Sequence, residues 1–183
     1  STIGDKVGKK AYLIKSEPSQ TMKLDDARIY CDYIYLDTGE RKFFAQTKHL
    51  YLIEQLQFNG VNEYTKGQDN NKMLLEFNHP CKELIWVNSL LFNKKLNLHN
   101  NYLNKINTIY GSDNPVKDVV LYVNGEERFQ VRNADYFRLM IPYQKHTRTP
   151  NKFIYVYSFA LKPEEHQPSG ACNFSKIDMV DLR

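Results

Sequence analysis

The stretch VVLYVNGEERF, residues 119–129, constrains the fold more than any other part of the sequence. Asn124-Gly125 stands between alternating apolar positions, and Asn followed by Gly suits the two positive-φ positions of a type I′ turn. Such a turn joins two antiparallel strands through a loop of two residues, so the register of the hairpin is set locally. We therefore predict that Asn124 and Gly125 are structural turn residues of an antiparallel sheet.

Further segments have the composition of short strands. The chain contains 13 Tyr and 10 Phe, and aromatic and β-branched residues favour pleated, half-buried surfaces. The predicted strands are residues 28–36, 50–58, 73–78, 83–88 and 153–160. A helix is the alternative for residues 50–58, because Leu52, Leu56 and Asn59 also fit a period of 3.6 residues.

Loops and one short helix separate these strands. Pro80 cannot donate to a strand ladder, so it predicts a corner after residues 73–78. Residues 133–141 begin with Asn, a good N-cap residue, and end before Pro142, which predicts a short helix. The Asn-rich segment 92–114 predicts a long surface loop. Several short strands without regular helix alternation favour an all-β sandwich or jelly roll.

Charge and cysteine content limit the partners that this chain is expected to bind. The net charge is +4 and the basic residues are scattered, whereas a groove that tracks phosphates needs clustered charge, so no nucleic-acid partner is expected. No apolar run approaches the roughly 20 residues of a membrane span, so no membrane insertion is expected. Cys31, Cys81 and Cys172 are an odd number at wide spacing, which favours free thiols in a reducing compartment.

Candidates for catalysis are few. The sequence contains no GxSxG, P-loop or HExxH motif. Glu164, Glu165 and His166 lie in a proline-bounded loop, where solvated turn residues are the simpler interpretation. The residues by themselves therefore provide little evidence for catalysis and indicate no cofactor.

Two other classes of function stay open at this stage. A metal-dependent, cupin-like enzyme would need a metal site, and the available residues (His79, Cys81, His166 and Cys172) lack the paired spacing of zinc ligands. A carbohydrate-binding jelly roll would need exposed aromatic side chains. Trp86 is the candidate sugar platform, although its apolar strand favours a place in the core.

Four blocks of the sequence resemble the major capsid proteins of nucleocytoplasmic large DNA viruses. The first block, DYIYLDTGERKFFAQTKHLYLIEQLQF at residues 32–58, is similar to the junction between the two jelly rolls of that family. There Phe44, Ala45 and Gln46 match the short connector. The other blocks follow in the same order: FNHPCKELIW (77–86), VNGEERF (123–129) and SFALKPEEHQPSGACNFSKID (158–178).

The resemblance implies a division of the chain. Residues 1–42 would be the C-terminal part of a first jelly roll, residues 43–48 the connector, and residues 49–183 a second jelly roll that is incomplete at its C-terminus. Within the last block, Pro168 and Gly170 would turn the chain between two successive strands.

The resemblance also implies a structural function without catalysis. The family forms homotrimers of pseudo-hexagonal outline that tile an icosahedral shell. The implied partners are other copies of the chain, neighbouring capsomers and minor capsid proteins. The implied location is the virion capsid, with assembly in the host cytoplasm.

Overall fold

The computed structural model describes residues 25–65, 68–95, 97–103 and 114–183 of the chain. The chain divides into two units, Ser1–Leu56, of which residues 25–56 are described, and Gln57–Arg183. The predicted segment 1–42 thus lies partly outside the described residues, as do positions 104–113 of the Asn-rich segment.

The strands are short, antiparallel and confined to the second unit of the described chain. They are β1 Met73–Leu74, β2 Pro80–Cys81, β3 Glu83–Val87, β4 Asp118–Val119, β5 Leu121–Val123, β6 Glu126–Glu127, β7 Arg132–Asn133, β8 Ile154–Ser158, β9 Cys172–Asn173 and β10 Val180–Leu182. A four-stranded sheet has the order β1-β10-β5-β6, and three pairs join β2 to β9, β3 to β8 and β4 to β7. Most neighbours are therefore far apart in sequence.

Helical segments in the described residues are more numerous than the single short helix predicted from the sequence. They are α1 Thr38–Gln46, α2 Leu91–Lys95, α3 Ile141–Lys145, a π-helical turn Tyr136–Met140 and a 3-10 turn Phe174–Lys176. The helix predicted at 133–141 begins three residues later and continues past Pro142. Pro142 comes directly after the π-helical turn, whose last hydrogen bond runs from Ile141 N to Tyr136 O, so the helix continues through a residue that has no N–H to donate.

Aromatic rings form the centre of the core of the second unit. The antiparallel β3–β8 pair sets Trp86 opposite Tyr155, and their rings stack with centroids 5.8 Å apart. Phe137, from the π-helical turn, is fully buried and lies 5.5 Å from the Trp86 ring and 5.4 Å from the Phe129 ring. The strands predicted at 83–88 and 153–160 are confirmed, because their aromatic side chains meet in this core.

Two predicted strands are not formed among the described residues. Residues 28–36 and 50–58 have no regular secondary structure and no strand ladder, and their side chains are almost all exposed. A strand requires a partner that exchanges backbone hydrogen bonds with it. The described part of the chain provides no such partner, although the composition of both segments suits a strand.

Side-chain amides take the place of a strand beside β1. Gln57 Nε2 donates to Asn78 O at 2.6 Å, and Asn78 N donates to Gln57 Oε1 at 2.9 Å. Two residues later, Asn59 Nδ2 donates to Leu74 O at 2.7 Å, while its Oδ1 accepts from Glu76 N at 2.8 Å. These bonds satisfy backbone groups that an edge strand would otherwise leave open.

Candidate assembly surface

Helix α1 covers most of the segment predicted to connect two jelly rolls. Its N-cap, Asp37, accepts a hydrogen bond from Glu40 N at 2.8 Å, and Glu40 Oε2 accepts from Asp37 N at 3.3 Å, which forms a capping box. Phe44, Ala45 and Gln46 lie in the last turn. The Asp-x-x-Glu spacing at 37–40 is the sequence signal from which this helix could have been predicted.

An aromatic cluster follows the helix. The His49 ring stacks on Phe44 with centroids 5.4 Å apart, and His49 Nε2 lies 3.2 Å from Phe44 O. Phe43 meets His49 edge-on at 5.4 Å, and Tyr51 lies 6.0 Å from it. The cluster holds the end of α1 against the chain that follows, while both Phe rings stay more than half exposed.

The most prominent surface feature is a series of exposed apolar side chains between residues 29 and 58. Ile29 is 91% exposed, Leu50 90% and Leu56 96%. The same segment exposes Tyr30, Tyr33, Ile34, Tyr35, Phe43, Phe44, Tyr51, Leu52, Ile53 and Phe58. Single exposed apolar residues are ordinary, but contiguous apolar surface marks sites of interaction with other protein. We call residues 29–58 the apolar segment.

The turn of the hairpin between β5 and β6 also binds residues 178–179, which lie far along the chain. Asn124 and Gly125 have φ values of 51° and 85°, and Val123 pairs with Glu126 across them. The Asn124 side-chain oxygen accepts from the N–H groups of Asp178 and Met179 at 3.1 and 3.0 Å. The sequence indicated the turn, but the bonds to residues 178–179 depend on tertiary structure.

Gly170 is required by a close approach of two backbone segments. Its φ is 140°, and a Cβ atom at this position would lie 2.9 Å from the backbone oxygen of Phe159. The loop of Pro168 and Gly170 leads into β9, which pairs with β2 so that Pro80 faces Asn173. Pro80 is the first residue of β2, a position that tolerates a missing N–H.

A histidine between two carboxylates joins three segments of the second unit. His146 Nε2 lies 3.1 Å from Glu83 Oε2, and His146 Nδ1 lies 3.2 Å from Glu164 Oε1. Burial raises the pKa of Glu83, although the charge of nearby His146 opposes this. The backbone N–H of Thr147, which donates to Glu164 Oε2 at 2.9 Å, lowers the pKa of Glu164. Glu164 is thus a partner of His146, which sequence reasoning missed.

Asp181 is a fully buried carboxylate in β10. Arg183 Nε lies 2.7 Å from it and Lys72 Nζ lies 3.5 Å away. The Arg183 guanidinium also lies over the Tyr122 ring, 4.2 Å from its centroid. Buried charges require such partners because they have lost their hydration. No pattern in the sequence distinguished Asp181 from an exposed strand residue.

Two residues considered above for ligand chemistry, Trp86 and His79, have structural roles, as does Asn173 of the sequence Asn173-Phe174-Ser175. Trp86 is partly buried and packs against the core, so it is not placed as a sugar platform. Asn173, the first residue of a glycosylation sequon, caps the 3-10 turn by accepting from Ser175 N at 3.1 Å. Ser175 Oγ accepts from His79 N at 2.6 Å, which supports the positive φ of His79.

One asparagine of the Asn-rich segment is buried, although most of the described residues of this segment are exposed. Asn93 in α2 is fully buried, and its Nδ2 donates to Asn101 O at 2.8 Å. Asn101 Nδ2 in turn lies 3.3 Å from Asn93 Oδ1. These amides fold the described part of the loop back on itself.

No three His, Cys, Asp or Glu side chains in the ranges 25–65, 68–95, 97–103 and 114–183 lie close enough together to hold a metal ion. Within the same ranges, no helix has the length and apolar character needed to cross a membrane.

Comparison with known proteins places these features in context. The family described as large eukaryotic DNA virus major capsid protein matches residues 40–183. A major capsid protein of Pyramimonas orientalis virus is 43% identical over 182 aligned residues, which cover 87% of this chain and 41% of that protein. A major capsid protein of Phaeocystis pouchetii virus is 35% identical, and the match covers 86% of this chain and 46% of that protein.

Solved structures agree with the sequence relatives. The chain matches the quasi-atomic structure of the PBCV-1 virus capsid with a TM-score of 0.65 and 36% identity, over 82% of this chain and 42% of the other. The chain therefore spans less than half the length of these relatives.

Proposed function

Because this chain belongs to the family of large eukaryotic DNA virus major capsid proteins and has their jelly-roll fold, we propose that it is part of a subunit that trimerises. The trimers would be pseudo-hexagonal capsomers that tile an icosahedral shell. The subunit would act as a structural component of the virion capsid, without catalysis and without a cofactor.

The exposed apolar segment is the observation that carries this proposal. Ile29, Leu50 and Leu56 leave at least nine-tenths of their surface in solvent, and a run of exposed apolar side chains of this length is characteristic of a surface that other protein covers. The relatives are more than twice as long as this chain. We propose that the remainder of the full-length protein and its neighbouring subunits cover residues 29–58.

If the rest of the protein covers residues 29–58, the chain would divide into parts of two jelly rolls. Residues 1–42 would complete a first jelly roll, in which the strand-like segment 28–36 gains a hydrogen-bonded partner. Residues 43–48 would connect it to a second jelly roll formed by residues 49–183 and further strands. Sheets completed in this way leave few open edges, which prevents irregular pairing between subunits.

The turn residues would serve this architecture rather than ligand binding. Asn124 and Gly125 close a hairpin, Pro80 begins β2, and Pro168 and Gly170 lead into β9. None of these residues needs a bound molecule to account for its geometry.

The proposed partners are proteins. They are two further copies of the subunit, neighbouring capsomers and minor capsid proteins, with no nucleic acid and no membrane insertion. Two jelly rolls in each of three subunits give six similar wedges, which is the symmetry that a hexagonal lattice requires. We propose that assembly takes place in the host cytoplasm.

Light scattering of the full-length protein tests the proposal. We expect a trimer at micromolar concentration, because permanent interfaces commonly bury about 2,000 Å² or more. Ile34→Lys, in the apolar segment, should lower the yield of trimer, because it introduces a charge at a position that is 87% exposed here and covered in the proposed subunit.

Tyr143→Lys is the matched control, because Tyr143 is 81% exposed but lies in α3, outside the apolar segment. This variant should form trimers in normal yield. A wild-type protein that stays monomeric, or an Ile34 variant that assembles as well as the control, would refute the proposal.

A further inference from the structure

Two of the three cysteines in the chain face each other across a strand pair. The register of β2 and β9 sets Cys81 directly opposite Cys172. Both side chains are partly buried and pack against the same hydrophobic core. Opposite residues of an antiparallel pair project from the same face of the sheet, so the two thiols share one environment. Cys31, by contrast, is exposed in the first unit.

The hydrogen-bond pattern defines the spacing of this pair. Phe174 N donates to His79 O at 3.1 Å, and hydrogen-bonded and non-bonded pairs alternate along an antiparallel ladder. Pro80 opposite Asn173 is therefore a non-bonded pair, in keeping with the missing N–H of proline, and Cys81–Cys172 is a bonded pair. The Cα atoms of such pairs are about 5.5 Å apart, within the range of about 4.4–6.8 Å that a disulfide spans. Their Cβ atoms are about 5 Å apart, so the two strands must approach by about 1 Å to reach the Cβ separation of about 3.5–4.5 Å in a disulfide.

We propose that Cys81 and Cys172 form a reversible cross-strand disulfide when the protein meets a small-molecule disulfide such as oxidised glutathione. The thiolate of one cysteine attacks a sulfur of the oxidant, forms a mixed disulfide and releases one glutathione thiolate. The second cysteine then attacks the protein sulfur of the mixed disulfide and displaces the second glutathione. The protein loses two electrons and two protons, and oxidised glutathione gains them as two thiols.

The surroundings of the pair make this exchange slow. Burial raises the pKa of both thiols, that of Cys81 to about 11, so the reactive thiolate is scarce at neutral pH. Cys81 Sγ also donates to Glu83 O at 3.2 Å, a bond that must break before Sγ can turn towards Cys172. The rate of oxidation should rise roughly tenfold per pH unit in the neutral range, because the thiolate fraction does.

The bond would join two segments that are far apart in the chain. It closes a loop of about 90 residues, and cross-links that close long loops remove much of the conformational freedom of the unfolded chain. β2 and β9 have only two residues each, so they can adjust to bring the Cβ atoms closer. A subunit that is reduced in a reducing compartment would thereby become more resistant to unfolding in an oxidising one.

The inference rests on strand register and not on trimer assembly, so either can fail while the other stands. The full-length protein is incubated with oxidised glutathione at pH 7.0 and pH 8.5, alkylated, and digested without reduction. We expect a peptide pair joined through Cys81 and Cys172 that disappears on treatment with dithiothreitol. It should form faster at the higher pH.

Matched variants separate this pairing from general thiol oxidation. Cys31→Ser should leave the linked peptide and its rate unchanged, while Cys81→Ser and Cys172→Ser should abolish it and leave the remaining thiol free or glutathionylated. The oxidised wild type should melt on the order of 5 °C higher than the reduced form, and the Cys81→Ser variant should show no such difference.

Three results would overturn the inference. The first is stable glutathionylation of Cys81 or Cys172 without linkage. The second is a linkage of either residue to Cys31 in preference to each other. The third is the same linkage pattern in native protein and in protein oxidised in 6 M urea, since pairing that does not need the fold cannot come from strand register.

Discussion

Residues 29–58 and residues 129–159 are both rich in aromatic side chains, but most of those in the second range are buried or partly buried, with Tyr143 as the exception, while those in the first range are exposed. Phe137 and Tyr155 in the second set are fully enclosed, whereas Tyr30 and Tyr35 in the first are about nine-tenths exposed. The difference does not lie in hydrophobicity. β8 has β3 as a partner and the π-helical turn as a cover, while residues 28–36 have no strand partner among the described residues. Burial thus depends on which segments meet, and composition supplies only the capacity for it.

Truncation of one ring in each set gives the largest expected contrast. Phe137→Ala should lower the free energy of unfolding by about 3–5 kcal/mol, because it leaves a cavity among the surrounding rings. Tyr35→Ala should change it by less than about 0.5 kcal/mol in this chain, because little surface there is buried. Equilibrium unfolding in urea measures both, and similar losses in the two variants would show that the apolar segment is also packed.

Glycines offer a second contrast between the units. Gly170→Ala should cost about 2–4 kcal/mol, because a positive φ and a 2.9 Å contact with Phe159 O act together. Gly39→Ala in α1 should have a much smaller effect, because the higher helix propensity of Ala is opposed by the tight 3.3 Å contact of its Cβ with the capping atom Asp37 Oδ1. Thermal melts of the two variants compare them, and an unchanged melting temperature for Gly170→Ala would disprove the close approach.

The local turns and caps should respond less strongly. Gly125→Val should cost about 1–3 kcal/mol through backbone strain alone, because nothing lies within 4 Å of a Cβ at this position. Asp37→Ala should remove the cap of α1 at a cost of about 0.5–2 kcal/mol to that helix. Backbone amide exchange reports both effects, and unchanged protection of the α1 amides after the Asp37 change would contradict the capping box.

The smallest expected effect is a dependence of stability on pH, which arises from two glutamates of the second unit. The pKa of Glu164 is lowered in the folded chain, so its bonds stabilise the fold above the ordinary glutamate pKa of about 4.3, and this stability is lost as pH falls through the lowered value. The pKa of Glu83 is raised, so its ionisation opposes folding as pH rises above the ordinary value.

Variants of the two glutamates distinguish these opposite signs. Glu164→Gln should flatten the loss of stability on the acid side, as followed by urea unfolding between pH 3 and pH 6. Glu83→Gln should instead remove the decrease in the free energy of unfolding that occurs as the pH rises above the ordinary pKa of glutamate. Identical pH profiles for both variants would mean that the two carboxylates do not have the opposed environments described here.

The sequence by itself determined the features that depend on neighbouring residues. Asn124-Gly125 required a two-residue turn, the apolar segments at 83–88 and 153–160 required burial as strands, and the order of four sequence blocks indicated the capsid family. The Asp-x-x-Glu spacing at residues 37–40 also indicates a capping box, but this region is interpreted from the sequence as a strand at 28–36 followed by a connector at 43–48. Each of these signals acts within a few residues, where covalent geometry and side-chain spacing leave few alternatives.

Tertiary structure decided everything that needs two distant segments. Only the fold brings His146 between Glu83 and Glu164, gives Asp181 its two cations, sets Cys81 opposite Cys172, and makes a Cβ at position 170 collide with Phe159. The same composition that buries residues 153–160 leaves residues 28–36 exposed. The physical reason is that strand ladders and buried charges are satisfied by partners tens of residues away, and no local pattern in a sequence specifies which partner that will be.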